Sequence, residues 1–137
     1  MQVVDLDELK RSGMLWQGQH GLPAPGRVLP SGWAVLDELL GGGWPRAALV
    51  EVLSEAHQGL PLLLPLLVRL STRPRWLAWV APPYVPYAPA LAARGVQVER
   101  LLLVREVSGG QSLWAAEQAL KSGACGVVLV WPRQLQT

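Results

Sequence analysis

Short apolar runs alternate with segments of helical spacing along most of this chain. Four of the runs are mostly apolar and bounded by turn residues, a pattern that predicts strands buried on both faces. These predicted strands are residues 48–53, 76–81, 101–104 and 126–131. Three segments of helical spacing separate them, and a glycine that can end a helix follows each of the last two. These predicted helices are residues 60–70, 87–94 and 111–121.

The alternation of strand and helix predicts the fold class. Crossovers long enough to hold a helix favour an open, mainly parallel sheet flanked by helices and joined by right-handed connections. Before the first strand, Ser31 can cap a helix that ends at Gly41. Residues 1–26 contain one weak amphipathic pattern and then a stretch rich in glycine and proline. We therefore expect an N-terminal helix and linker in residues 1–26 and an α/β domain in residues 27–137.

Composition fits one compact domain and excludes several classes of protein. The chain has 137 residues, 50% of them hydrophobic, so it can bury a core of its own. Its 12 basic and 10 acidic residues leave a net charge of only +2, so direct DNA binding should be weak or absent. The longest apolar run, residues 59–68, is about half of the roughly 20 residues that cross a membrane. Because Cys125 is the single cysteine and there is no apolar leader, we expect a cytoplasmic protein without a membrane partner.

The turn after the first predicted strand is where an α/β protein would bind a phosphate. Residues 28–59, VLPSGWAVLDELLGGGWPRAALVEVLSEAHQG, resemble the RecA core, in which a capped helix leads to a strand and a phosphate-binding loop. In that alignment the pattern G-x-x-x-x-G-K-[ST] falls on Ser54 to Pro61, and only Gly59 matches it. Leu60 and Pro61 replace the phosphate-binding lysine and the magnesium-binding hydroxyl. The resemblance implies a RecA-like fold with a degenerate P-loop that holds no nucleotide.

The same alignment implies that the other residues of a RecA-type active site have changed. Pro83 stands where the family keeps its water-activating glutamate, and Trp131 where the Walker B strand carries an acidic residue. His20 and His57 show no metal-ligand spacing. We therefore expect no catalytic residue, no cofactor and no metal, in a protein that is not an enzyme. The alternative is an unrelated small α/β domain whose loop merely follows a strand.

Residues 75–132 closely resemble the ImuA and SulA family of bacterial SOS-response proteins. The stretch reads RWLAWVAPPYVPYAPALAARGVQVERLLLVREVSGGQSLWAAEQALKSGACGVVLVWP. Its distinctive features are W-V-A-P-P, the Pro-Tyr that follows, and L-W-A-x-E-Q-A-L-x-S-G. The earlier segment LPSGWAVLDELLGGGWP, residues 29–45, is typical of ImuA and absent or weak in SulA. The resemblance therefore favours the ImuA branch.

Resemblance to ImuA implies a non-catalytic adaptor of SOS mutagenesis, induced by DNA damage. Such a protein acts in translesion DNA synthesis with ImuB, an error-prone DNA polymerase and RecA. The alternative is a SulA-like inhibitor of cell division that binds FtsZ and blocks its polymerisation. An active nucleotide hydrolase is a third hypothesis, opposed by Leu60, Pro61, Pro83 and Trp131.

A loop rich in proline and tyrosine is the best candidate surface for a partner. It follows the predicted strand 76–81 at its carboxyl end, where α/β folds place their sites. Its candidate residues are Pro82, Pro83, Tyr84, Pro86 and Tyr87. Tyrosines in a proline-stiffened loop offer apolar area with little entropy to lose, as an interface hot spot requires. An equal alternative is that the loop only covers the abandoned nucleotide site.

Two further expectations concern Trp114 and the carboxyl end of the chain. Trp114, on the last predicted helix, is a further candidate for partner contact, although packing is its more ordinary role. Members of the family generally continue beyond the strand at 126–131, so we expect either a truncated chain or a shortened member. A sheet edge exposed in this way predicts pairing of two chains, and hence a homo-oligomer.

Overall fold

A computed structural model of the protein describes residues 6–12, 27–55, 58–105 and 110–132. Contacts divide the chain into two compact units, Met1–Val50 and Glu51–Thr137. The first unit contains α1 (Leu6–Arg11), β1 (Val28–Leu29), α2 (Ala34–Leu39) and β2 (Trp44–Pro45). The second contains α3 (Leu60–Ser71), β3 (Trp76–Val80), α4 (Ala88–Ala93), a 3-10 helix (Val98–Arg100), β4 (Leu101–Val104), α5 (Gln111–Lys121) and β5 (Cys125–Val130). Residues 13–26, which include the predicted linker and His20, lie outside the described part, as do His57 and the last five residues.

The first unit is organised by a short antiparallel pair that the sequence pattern does not predict. Val28 pairs with Pro45 and Leu29 with Trp44, and the Arg46 N–H donates to the Arg27 carbonyl oxygen at 2.7 Å. Strands of two residues are too short to produce an alternating pattern of apolar positions.

The cap expected at Ser31 is wrong. The helix begins at Ala34, and the residue before it, Trp33, makes no side-chain cap. Ser31 is completely buried instead: its N–H donates to Asp37 Oδ1 at 2.7 Å, and its hydroxyl accepts from the Trp33 N–H at 3.1 Å. Because Ser31 is held in this turn, residues 31–33 lie before the helix rather than at its first position.

A three-stranded parallel sheet organises the second unit, in the order β4-β3-β5. Leu77 pairs with Leu101 on one side and with Val127 on the other, so β3 is the central strand. Alternation along β3 sends Val80 to the face covered by α5, where it packs in a cluster with Ala116. Trp79 points to the opposite face and is 2% exposed. These three strands and the helices α3, α4 and α5 lie within one residue of their predicted bounds.

The apolar side of α3 packs against β3 and supplies further buried residues. Leu67 is completely buried, and Leu66 and Leu70 are buried beside it in the helix. Pro61 lies in the first turn, where a missing N–H costs little, whereas Pro65 lies inside the helix. The helix nevertheless runs without a break from Leu60 to Ser71.

The predicted first strand, residues 48–53, is absent, and the RecA-like prediction is wrong with it. This segment belongs to neither sheet, and its side chains reach water, with Leu49 98% and Leu53 85% exposed. Just before it, Ala47 adopts a left-handed φ of 52° that turns the chain. An apolar run supplies side chains for a core, but a strand also needs neighbouring backbone to pair with. Among the described residues, no strand therefore precedes α3 to form the strand, P-loop and helix unit of a RecA-like core.

Two other expectations concern a membrane and a second copy of the chain. Within the described residues, no helix is long and apolar enough to cross a bilayer. The described part of the sheet gives β5 a neighbour, β3, on one side only. Pairing of two chains across this edge stays a prediction.

Ser71 provides a test of the polar contacts that hold this unit together. It is completely buried, donates to the Val68 carbonyl oxygen at 2.8 Å, and accepts from the Gln97 N–H at 3.0 Å. Ser71→Ala should lower the free energy of unfolding by about 1–3 kcal/mol, because it leaves the Gln97 N–H without a partner. Thr72 makes the same bond to the Arg69 carbonyl oxygen, at 2.8 Å, but is exposed. In urea unfolding, Thr72→Ala should therefore change stability by less than about 0.5 kcal/mol; equal losses from both variants would contradict this account.

Candidate protein-interaction site

The carboxyl ends of the three parallel strands meet at one edge of the sheet. We call this the carboxyl edge, and it consists of residues 81–87 after β3, Arg105 after β4 and Trp131 after β5. The Ala81 N–H donates to the Val104 carbonyl oxygen at 2.8 Å, and the Trp131 N–H donates to the Val80 carbonyl oxygen at 3.1 Å. These bonds continue the sheet pairing one residue beyond the strands, so the loops leave from fixed positions.

The loop after β3 presents two tyrosines to solvent. Its first residue, Ala81, is buried and adopts a left-handed φ of 51°, which turns the chain out of the sheet. Beyond it, Tyr84 is 73% exposed and Tyr87 is 71% exposed. Three prolines, Pro82, Pro83 and Pro86, fix φ through this stretch. The loop therefore displays aromatic area on a backbone with little freedom to lose.

Two small pockets open on the carboxyl edge, and Arg105 lines both. One, of about 120 Å³, is lined by Val80, Val104, Arg105, Gln111, Ser112, Trp114 and Ala115. The other, of about 140 Å³, is lined by Ala81, Pro82, Pro83, Tyr84, Val85, Leu103 and Arg105. Because Arg105 is common to both, Trp114 and Tyr84 belong to one continuous stretch of surface around this arginine.

Trp114 lies on the outer side of α5 and is 63% exposed, like its neighbour Leu113 at 53%. Trp114 therefore does not pack in the core, which was the more ordinary role expected for it. We define the aromatic surface as Tyr84, Tyr87 and Trp114, together with Arg105. Four of the six predicted candidates line the two pockets, namely Pro82, Pro83, Tyr84 and Trp114, whereas Pro86 and Tyr87 line neither. Arg105 was not selected from the sequence.

Pro83 and Trp131, the two positions aligned with catalytic acids, have different surroundings. Pro83 is exposed in the tyrosine loop. Trp131 packs against Trp79, with ring centroids 5.7 Å apart and planes inclined by 53°. An aromatic pair of this kind stabilises the core beyond the area that it buries.

The residues aligned with the P-loop lie at the start of α3. Gly59 precedes the helix, and Leu60 and Pro61 form its first turn. A Cβ atom placed on Gly59 would lie 3.0 Å from Val52 Cγ1 and 3.3 Å from Ser54 Oγ. Side chains therefore fill the space over the one glycine that matches the phosphate-binding pattern. In the parts of the chain that the structure describes, no three His, Cys, Asp or Glu residues are grouped to hold a metal ion.

A family model described as cell division inhibitor SulA matches residues 49–137. This match covers more than half of the chain, including α3 and everything that follows it. The chain belongs to the SulA family. All the residues of the aromatic surface fall within the matched segment.

Individual relatives agree with the family match. The chain is 40% identical over 70 residues to a cell division inhibitor SulA from Edwardsiella piscicida, a match to 51% of this chain and 42% of the relative. It is 35% identical over 74 residues to the SulA of Serratia marcescens, covering 54% of this chain and 44% of the relative. The chain thus spans less than half the length of these curated relatives. The crystal structure of SulA from Pseudomonas aeruginosa is similar with a TM-score of 0.51 and 29% identity, over 64% of this chain and 75% of that one.

These comparisons correct the RecA-like and ImuA predictions. The fold is SulA-like, a small domain of mixed helices and strands. The preference for ImuA rested on residues 29–45, which precede the matched segment and form α2 and the β1–β2 pair. No strand that could precede a P-loop follows these residues in the described part of the chain, so they do not support a nucleotide-binding core. An adaptor role with ImuB, RecA and an error-prone polymerase is accordingly not supported, and the SulA-like alternative is.

Proposed function

We propose that this SulA-family chain is an SOS-response inhibitor of cell division that binds FtsZ in the cytoplasm and blocks its polymerisation. The family match over residues 49–137 carries the proposal, because it includes the whole parallel sheet and the aromatic surface. The relatives in Edwardsiella piscicida and Serratia marcescens are named as cell division inhibitors. Inhibition by binding needs a stable surface and no turnover.

The aromatic surface is the proposed contact region. Tyr84, Tyr87 and Trp114 are each more than 60% exposed, although large aromatic side chains usually bury most of their area. Tyrosine, tryptophan and arginine are the residues most enriched at interface hot spots. The prolines of the tyrosine loop keep the entropy lost on binding small, which favours affinity.

We further propose that the chain is not an enzyme and needs no nucleotide. Two features at the start of α3 support this. Leu60 and Pro61 offer neither the cation nor the hydroxyl of a P-loop, and Val52 and Ser54 fill the space over Gly59. Inhibition should therefore be the same with and without ATP.

Substituting both tyrosines should separate binding from folding. Tyr84→Ala combined with Tyr87→Ala should weaken binding to purified FtsZ by at least about 30-fold, the size of one hot spot of ~2 kcal/mol. The reason is that two exposed aromatic anchors are lost while the buried core stays intact. Binding is measured by titration against immobilised FtsZ, and inhibition by light scattering of FtsZ polymerising with GTP.

The matched control is Leu120→Ala. Leu120 is 68% exposed in the last turn of α5, at the other end of the helix from Trp114. Its substitution should leave FtsZ binding within about twofold of the unsubstituted chain. Absence of FtsZ binding by the unsubstituted chain would reject the proposed function. Equal binding by the double tyrosine variant would reject only the contact region.

A further inference from the structure

The amino end of α5 is an uncapped helix terminus beside the first of the two pockets. The helix has 11 residues, and Gly110, which precedes it, has a left-handed φ of 91° and supplies no side chain. The first amides of a helix point away from it without intrahelical acceptors and carry partial positive charge. Gln111 and Ser112, the first two residues of α5, both line the pocket of about 120 Å³.

Ser112 is the residue that indicates a binding site at this end of the helix. It is 7% exposed, and its hydroxyl has no hydrogen-bond partner among the described residues. The fully buried side-chain atoms without a partner in the described residues are Trp44 Nε1 and Trp79 Nε1, so the Ser112 hydroxyl is not sealed off but reaches the pocket, where a ligand can accept its hydrogen bond. By contrast, Ser122 at the other end of α5 donates to the Ala119 carbonyl oxygen at 2.7 Å.

Arg105 completes the set of donors. It follows β4 directly, is exposed, and lines the pocket together with Gln111 and Ser112. No acidic side chain in the described part of the chain lies within ion-pair distance of it. A guanidinium, a hydroxyl, a carboxamide and helix amides therefore surround one small cavity, which suits a ligand that only accepts hydrogen bonds and carries negative charge.

We infer that this pocket binds a carboxylate, supplied by an aspartate or glutamate side chain of the protein partner. Val80, Val104 and Ala115 form apolar walls that suit the methylene groups of such a side chain. A planar carboxylate matches the guanidinium of Arg105 with two parallel hydrogen bonds. The pocket borders the aromatic surface at Trp114, so an acidic anchor there would lie within the contact region. The inference deepens the proposed function and rests on it for the identity of the partner.

The pocket is tested first without any protein partner. Sodium acetate is titrated into isotopically labelled chain, with sodium phosphate as the second probe, and amide resonances are followed. Acetate should shift the amides of Gln111 and Ser112, and Arg105→Gln should weaken its binding about tenfold through loss of a charge-assisted bond. Ser112→Ala should weaken it less, and the control Arg94→Gln, an exposed arginine after α4, should not change it. Absence of acetate shifts at α5, or tighter binding of phosphate than of acetate, would overturn the inference.

The second arm uses FtsZ. If the carboxylate comes from the partner, Arg105→Gln should weaken FtsZ binding about tenfold while Arg94→Gln leaves it unchanged. Loss of acetate binding with unaltered FtsZ binding would overturn the assignment to a partner side chain. If acetate binds at α5 and the unsubstituted chain does not bind FtsZ at all, the pocket stands and the proposed function fails.

Discussion

Replacing Trp79 with alanine should lower the free energy of unfolding of the second unit by about 3–5 kcal/mol. Trp79 lies on the central strand, pairs with Leu103 and Leu129 of its two neighbours, and is 2% exposed. Its ring also packs against Trp131. Truncation therefore removes a large buried area and leaves a cavity that the strands on both sides cannot easily close.

Trp79→Phe distinguishes the contribution of the ring from that of its polar atom. The indole Nε1 of Trp79 is buried and finds no acceptor among the described residues. Phenylalanine keeps most of the aromatic packing and removes this unpaired donor, so the two changes partly offset each other. We expect a loss below about 1.5 kcal/mol for Trp79→Phe.

Urea unfolding followed by far-ultraviolet circular dichroism measures both variants without depending on tryptophan fluorescence. Trp114→Ala is the control, because this residue is 63% exposed and should change stability by less than about 0.5 kcal/mol. If Trp79→Phe destabilised the protein as much as Trp79→Ala, an acceptor for the indole N–H would have to exist. Equal losses at positions 79 and 114 would contradict the placement of Trp79 in the core.

Neighbouring helices along the chain do not distinguish the apolar runs that form strands from the one that does not, because the run at 48–53 also lies between two helices, α2 and α3. The runs at 76–80, 101–104 and 125–130 each pair with a neighbouring strand, and those at 76–80 and 125–130 also pack against helices. The run at 48–53 is apolar apart from Glu51, but no strand pairs with it in either sheet. Burial of a strand on both faces depends on neighbouring strands and helices that are distant in the sequence, and the local apolar pattern does not reveal them.

One part of the candidate site can be predicted from adjacent residues, and another part forms only from residues that are distant in the sequence. The tyrosine loop is recognisable from sequence because prolines and tyrosines are adjacent and follow a strand. The pocket with Arg105 and Ser112 is not, because it forms only when β4 lies beside β3 and α5 covers the same face. A signal for Arg105 was nevertheless present, since it is the first residue after the predicted strand 101–104 and so belongs to the edge where sites form.

The error in the family prediction came from residues that precede the segment matched by the family model. The resemblance seen in residues 75–132 is confirmed for the SulA family, and the family match begins at residue 49. The glycine-rich segment before it suggested a RecA core because three glycines and a capped helix precede an apolar run. In the structure those glycines instead let two short strands approach each other in the first unit.

Gly43→Ala should abolish this approach and with it the β1–β2 pair. A Cβ atom at position 43 would lie 2.9 Å from Pro30 Cα and 2.6 Å from the Leu29 carbonyl carbon, with the carbonyl oxygen closer still. All of these are backbone atoms, so no side-chain rotation relieves the overlap. The φ of 142° adds strain for any residue with a side chain. We expect the protection of the Arg46 amide, which donates to the Arg27 carbonyl oxygen, to be lost in hydrogen exchange.

Gly123→Ala separates the overlap from the backbone strain. Gly123 also has a left-handed φ, 67°, but a Cβ atom there would meet nothing within 4 Å. This variant should cost only about 1–2 kcal/mol, the penalty of the left-handed conformation, and should leave the Arg46 amide protected. If Gly43→Ala also kept that protection, the two strands would have room for a methyl group between them. The close approach at Gly43 would then not be what makes glycine necessary at this position.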